Sequence, residues 1–170
     1  MRAVKLVGVS GSLQARSANS ALLEVARAVA GPGVEVVVFD ALADVPAFNP
    51  DTDPTPAVVA AFRALVQSAD GLVFTTPEYA HGLPGSLKNL LDWLVGSGEL
   101  YDKRVVITSA APAAERGKHA RADLERTLRA QGADVLESVT IAVPTRVRGS
   151  ECEDPEIRDA VGALLGRFRR

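Results

Sequence analysis

Val4-Lys5-Leu6-Val7-Gly8-Val9-Ser10-Gly11-Ser12-Leu13-Gln14-Ala15-Arg16-Ser17-Ala18-Asn19 is the stretch on which the fold turns. Val4 to Val9 is nearly continuous in apolar residues, broken only by Lys5 and Gly8, as expected of a strand buried on both faces of a parallel sheet. A turn of small and hydroxyl residues follows. Leu22, Val25, Ala26 and Val29 then recur at the i, i+3, i+4, i+7 spacing of an amphipathic helix.

The same alternation continues outward from this unit. Strands are expected at Val4–Ser10, Val34–Phe39, Gly71–Thr75, Arg104–Ser109 and Val135–Val143. Helical stripes lie between and after them: Val58, Phe62, Leu65 and Val66; Leu87, Leu90, Leu91 and Leu94; Ile157, Val161, Leu164, Leu165 and Phe168. Gly117–Ala130 carries Leu124 and Leu128 among alanines and charges and reads as a well-solvated helix. Gly31-Pro32-Gly33 closes the first helix, Pro56 is expected at the first position of the second, and Arg167-Phe168-Arg169-Arg170 reads as a frayed helix end. Five strands and five helices in alternation imply a doubly wound three-layer α/β sandwich, with ligands taken at the carboxyl ends of the strands.

Composition narrows the function classes. The 170 residues argue for one domain, and 47% apolar with 5% aromatic residues implies a core of Val, Leu and Ala. Lys and Arg number 19 against 21 Asp and Glu, a net charge of −2 that does not suit a polycationic nucleic-acid binder. One cysteine excludes an internal disulfide framework, and two histidines, His81 and His119, leave little material for a metal site. Cys152 sits in Glu151-Cys152-Glu153-Asp154, where the carboxylates would raise a thiol pKa and so disfavour a redox-sensing role. The apolar runs are strand-length, far short of the ~20 residues of a spanning helix. The start of the chain reads as a strand and not as a secretory signal, so the expected compartment is the cytoplasm.

Three loops follow strand ends. In Ser10–Asn19 the small hydroxyl residues, Gly11 and a helix N-terminus can bring backbone N–H groups to an anion, with Arg16 as the nearby cation; Ser17 and Asn19 also suit plain helix capping. The loop is neither a P-loop nor a dinucleotide fingerprint, and a terminal phosphate on a mononucleotide suits it best. The second loop, Thr75-Thr76-Pro77-Glu78-Tyr79-Ala80-His81-Gly82-Leu83-Pro84-Gly85, holds two prolines and two glycines that fix an irregular path able to offer backbone groups to a flat heteroaromatic edge. Tyr79 supplies a face for stacking. Glu78 reads as a general acid or as a solvated or interface-paired carboxylate, His81 as a base or a surface residue, Trp93 as packing, interface or ring platform. The third loop, from Thr108-Ser109-Ala110, offers small residues that admit a ligand or simply connect.

Together these stretches resemble the NAD(P)H-dependent FMN reductase family. Gly11-Ser12-Leu13-Gln14-Ala15-Arg16-Ser17-Ala18-Asn19 is similar to its Gly-Ser-Leu-Arg-x-x-Ser-x-Asn phosphate loop, with Gln14 in place of the arginine. Thr76-Pro77-Glu78-Tyr79-Ala80, Pro84-Gly85, Leu87-Lys88-Asn89 and Asp92-Trp93 are similar to its flavin loop, with Ala80 in place of an asparagine. The resemblance implies a flavodoxin-like sandwich, a five-stranded parallel sheet in the order 2-1-3-4-5 with helices on both faces, in one domain over residues 1–170. It implies FMN as cofactor, held at its phosphate by Ser10, Ser12, Ser17 and Asn19 with Arg16, and with Leu13 from the same loop. Pro77, Glu78, Tyr79 and Ala80 would line the isoalloxazine, and Thr108, Ser109 and Ala110 its pyrimidine side. NAD(P)H would be the co-substrate, a quinone, free flavin or other small oxidant the acceptor, and no protein residue obligatory for hydride transfer. A homodimer or homotetramer built on Leu87–Trp93 is implied as well. Two alternatives stay open: an electron carrier of the same fold, which the near-neutral charge disfavours, and a relative that has stopped binding flavin.

Overall fold

Five parallel strands form one sheet in the order β2-β1-β3-β4-β5, in a computed structural model that describes residues 2–143 and 153–169. The strands are β1 (Val4–Ser10), β2 (Val34–Phe39), β3 (Gly71–Thr75), β4 (Arg104–Ala111) and β5 (Asp134–Ala142). The helices are α1 (Ala18–Val29), α2 (Ala57–Ser68), α3 (Gly85–Asp92), α4 (Lys118–Ala130) and α5 (Pro155–Gly166). Cys152 lies outside the described residues. The expected bounds of β1, β2 and β3 agree with the structure. β4 continues two residues further than expected because Ala110 and Ala111 keep pairing, with Ile141 and Ala142 of β5. Pro56 takes the N-cap position with an extended ψ of 139°, one residue before the first helical position expected for it. A 3₁₀ turn, Leu42–Asp44, follows β2 without a distinct sequence signal.

Near-continuous apolar strands are explained by two separate cores. On one face Val7, Val9, Leu72, Phe74, Val105 and Ile107 pack with Phe62, Leu87, Leu90 and Leu124 from α2, α3 and α4. On the other, Leu6, Val36, Val73 and Val106 pack with Leu22, Leu23, Val25, Ile157 and Leu165 from α1 and α5. Successive strand residues point to opposite faces, so a strand between two helical layers needs apolar side chains at every position. Each large side chain fully buried in this way contributes about 1.5–3 kcal/mol.

Residues 167–169, beyond α5, are held against the fold and do not fray as expected, and Arg170 lies outside the described residues. Phe168 is buried and its ring occupies the space over Gly71, where a Cβ would collide with both the ring and the Arg104 carbonyl oxygen. The Arg104 guanidinium donates to the carbonyls of Arg167 (2.6 Å) and Phe168 (2.9 Å). Aromatic burial and these two bonds outweigh the end-fraying expected of a helix terminus.

Candidate functional site

The carboxyl ends of β1, β3 and β4 are joined by a set of short hydrogen bonds. Gly11 N–H donates to the Thr75 carbonyl (2.7 Å), and Thr76 N–H to that of Thr108 (3.0 Å). Asn19, buried in the first turn of α1, takes the Thr75 hydroxyl on its backbone carbonyl (2.9 Å) and the Ala110 N–H on its Oδ1 (3.0 Å). One asparagine thus ties α1 to the ends of both β3 and β4. Gly11 is needed for space: a Cβ there would meet Leu87 Cδ2 at 2.8 Å.

Hydroxyls in the loop after β1 satisfy that loop's own amides. Ser10 Oγ accepts from Ser12 N–H (3.3 Å) and from the Ser20 hydroxyl (2.9 Å), and Ser12 Oγ accepts from Gln14 N–H (3.2 Å). Ser17 is the N-cap of α1 and accepts from the N–H groups of Asn19 and Ser20 (3.2 and 3.4 Å). Ser10, Ser12, Leu13, Gln14, Arg16 and Ser17 line a cleft of about 720 Å³. It is closed on its far side by Asp40 and Leu42 after β2. Ser20 and Asp40 were not singled out from the sequence. Ser20 lies in the first turn of α1, three residues after the Ser17 cap whose hydroxyl accepts from its N–H, a capping spacing that points to it.

A second cleft, of about 620 Å³, opens between the loops after β3 and β4. Thr76, Pro77, Glu78 and His81 line it from the β3 loop, and Ser109, Ala110, Arg116, Lys118 and His119 from β4 and the segment after it. Neither cleft is lined by Asn19, Tyr79 or Ala80. Thr108 and Ser109 are buried within β4, inside the strand bounds expected for them, and the added strand residues Ala110 and Ala111 carry the sheet on past them. The Ser109 hydroxyl pairs with that of Thr140 at 3.1 Å. Tyr79 is 56% exposed, a free face beside the cleft mouth.

Ala80 and His81 form the apex of a hairpin closed by Tyr79 and Gly82, which exchange backbone bonds of 3.2 and 3.0 Å. Both apex residues are left-handed, at φ 49° and 60°. That conformation suits Asn and Gly at the centre of a tight hairpin and strains Ala and His. The asparagine of the resembled family at position 80 therefore has a backbone reason as well as any contact to a ring.

Glu78 turns toward α4. Its Oε2 accepts from His119 N–H (2.8 Å) and Ala120 N–H (3.2 Å), and its Oε1 lies 3.6 Å from His81 Nδ1. Burial pushes its pKa up, but the two amides and the neighbouring imidazoles outweigh that and hold the carboxyl below its usual range. A general-acid role for Glu78 is therefore disfavoured at neutral pH. Arg121, drawn down by burial, faces the same carboxylate from within α4.

The Lys88-Asn89-x-x-Asp92-Trp93 pattern has a structural account. Lys88 and Asp92 pair across one turn (2.6 Å). Asn89 accepts from Phe48 N–H (2.7 Å) and donates to the Pro46 carbonyl (2.9 Å), which also takes the Trp93 indole N–H (3.0 Å). Phe48 packs edge-on against Trp93 at 5.1 Å between ring centres. The pattern straps the segment after the 3₁₀ turn onto α3, and Trp93 is packing and not an open ring platform. Among the described residues no three His, Cys, Asp or Glu side chains are placed to hold a metal ion, and no helix is long and apolar enough to cross a membrane.

Residues 4–147 match the family model described as NADPH-dependent FMN reductase. An NAD(P)H-dependent FMN reductase of Pseudomonas aeruginosa is 39% identical over 92 residues, 53% of this chain and 49% of that protein. A quinone reductase of Escherichia coli is 35% identical over 94 residues, 54% of this chain and 50% of that one. The matched region thus spans about half the length of these curated relatives. Among solved structures, the flavoenzyme NAD(P)H:(acceptor) oxidoreductase FerB of Paracoccus denitrificans superposes with a TM-score of 0.79 at 21% identity, over 97% of this chain and 94% of that one. Flavodoxin 1 of Bacillus cereus superposes at 0.63 and 17% identity over 96% of each chain. Both share the flavodoxin-like fold expected from the sequence.

Proposed function

The chain belongs to the NADPH-dependent FMN reductase family, and from that premise we propose that it is an FMN-dependent NAD(P)H oxidoreductase acting on a quinone, a free flavin or another small acceptor. The observation that carries this reading is the convergence of the hydroxyl-rich α1 loop and the β3 loop at one sheet edge, tied through Asn19. The donor set suits a phosphate: loop amides, four serine hydroxyls, the α1 N-terminus and exposed Arg16. Gln14 is exposed in the same loop, and the amides that would hold an anion are backbone groups that its side chain does not supply.

In this reading Ser10, Ser12, Ser17 and Arg16 hold the phosphate, with Leu13 covering it and Asn19 fixing the loop. Ser12 and Ser17 hydroxyls that now accept from loop amides would turn as donors to the phosphate and release those N–H groups to it. Pro77, Glu78, Tyr79 and Ala80 border the ring from one loop, Ser109 and Ala110 from the other. FMN, when bound, would supply the two-electron redox chemistry that links NAD(P)H to the acceptor. The protein's own part is to bind and orient. Ala110 N–H is held by Asn19, so the wall it belongs to stays in place.

Residues 1–170 would act as one domain, in a cytoplasmic setting where the nicotinamide co-substrate is kept reduced. A homodimer is included in the proposal. Phe48 (40% exposed) and Val95 (61% exposed) on the α3 side support it, although the apolar face of α3 itself is spent on the core. Light scattering on the purified protein checks that part.

The visible absorption spectrum is the direct test of the whole reading. Purified protein mixed with FMN should show a bound-flavin spectrum that bleaches with NADH or NADPH and returns with a quinone or air. Bound flavin indifferent to both nicotinamides would make the chain an electron carrier. Failure to take up FMN would end the reading.

A further inference from the structure

Helix α4 begins without a cap of its own. Gly117 holds the N-cap position at φ 80°, with no side chain to offer. None could be added there, since a Cβ would meet Ser109 Oγ at 2.5 Å. The orphan amides of the first turn must find another acceptor. They find it 41 and 42 positions back in the chain, in the Glu78 carboxylate. A negative charge at that end of the helix is favoured by the dipole as well.

This bond runs from one wall of the second cleft to the other. Glu78 stands at the foot of the Tyr79–Gly82 hairpin, while His119 and Ala120 open the helix that follows the β4 loop. His81, at the strained apex, is drawn to the same place: its ring meets that of His119 edge-on at 5.1 Å. Two left-handed non-glycine residues in succession persist only where the surroundings over-determine them. The Tyr79–Gly82 bond pair closes the apex from within, and the Glu78 carboxylate and the His81–His119 ring contact approach it from the side of α4.

We infer that Glu78 is a positioning residue, a tether that caps α4 from the opposite loop and thereby sets the spacing of the two cleft walls and the placement of Tyr79. The consequence for the flavin ring rests on the proposed function; the tether itself does not. Glu78 holds the walls through Oε2, which is committed to two amides, while Oε1 faces His81 Nδ1 at 3.6 Å.

The test compares Glu78→Ala, Glu78→Asp and Glu78→Gln with wild type, and with Val161→Ala in the buried core between α5 and the sheet as a variant of lowered stability outside the cleft lining. Amide exchange is followed in the FMN-free proteins, then FMN affinity and the shape of the bound-flavin absorption band. Glu78→Ala should speed exchange both at His119 and Ala120 and at Tyr79 and Gly82. It should weaken FMN binding about tenfold, the scale of one lost charged hydrogen bond, and alter the band shape. Glu78→Asp, one methylene too short to span the cleft, should behave alike, and it carries the test if the alanine variant does not fold. Glu78→Gln keeps an acceptor oxygen and should stay within about threefold of wild type. Val161→Ala should lower the melting temperature without touching FMN affinity or the band. If Glu78→Ala and Glu78→Asp free only the His119 and Ala120 amides, leaving the hairpin amides as in wild type, the carboxylate is a helix cap and nothing more, and the inference falls. If wild type takes up no FMN, the flavin reading fails by itself while the exchange data still decide the tether.

Discussion

The loops after β1 and after β3 meet at the same sheet edge and are held by opposite means. The first is satisfied locally: Ser10, Ser12 and Ser17 bond amides two or three residues away. The second is held from a distance, by Glu78 on α4 and, through the helix it leads into, by Asn89 and Trp93 on the Pro46–Phe48 segment. A locally bonded loop can rearrange its hydroxyls around an incoming anion without disturbing the rest of the fold. A loop clamped from afar presents a fixed wall. The pair suits a ligand with one end that is gripped and one end that is merely aligned.

Cutting the long-range clamp is the strongest way to break this contrast. Trp93→Ala removes a buried ring and its bond to Pro46, and should cost about 3 kcal/mol in a denaturant titration. Loss of FMN affinity beyond that seen in an equally destabilised variant elsewhere would extend the clamp's reach to the site. Cutting the local network should cost less. Ser17→Ala removes the α1 cap and should lower stability by about 1 kcal/mol, and by the proposed function it weakens FMN more than it weakens the fold.

The acid limb of stability sharpens the comparison further. The Glu78 carboxyl is held below its usual range, so its contribution is whole above the unfolded value of about 4.3 and is lost as pH falls through the lower folded value. Asp70 behaves likewise, chiefly through its bond from Lys5 N–H and its pairing with Arg2. Wild type should therefore lose stability below about pH 4 faster than Glu78→Gln when melting temperatures are followed against pH; parallel curves would contradict this. The smallest effect expected is a gain. Ala80→Asn places a residue that tolerates φ 49° at the hairpin apex and should stabilise by about 0.5 kcal/mol.

Legibility in the sequence follows the same division. Strand positions were readable because a doubly covered strand must be apolar throughout, and β1, β2 and β3 agree with the expected bounds to the residue. The capping role of Ser17 was readable because a hydroxyl-to-amide bond acts over two or three residues, whereas the bonds of Ser10 and Ser12 to their own loop carried no separate signal. The role of Glu78 was not, since nothing local marks a carboxylate that will cap a helix 41 positions later. Asn89 and Trp93 were visible as part of a long pattern but gave no sign that their partner would be Pro46. Phe168 fell in a helical stripe, yet its basic neighbours suggested fraying; only Gly71, 97 positions away in the sequence and silent by itself, reveals the seat made for it.

Asn19 has a consequence for the speed of capture. Because one side chain and its own carbonyl bolt the start of α1 to two strand ends, the loop before it is anchored at both of its feet before any ligand arrives. Little chain entropy remains to be given up on association. If the proposed function holds, stopped-flow mixing with FMN should therefore give a single concentration-dependent phase; a slow, concentration-independent phase would contradict this.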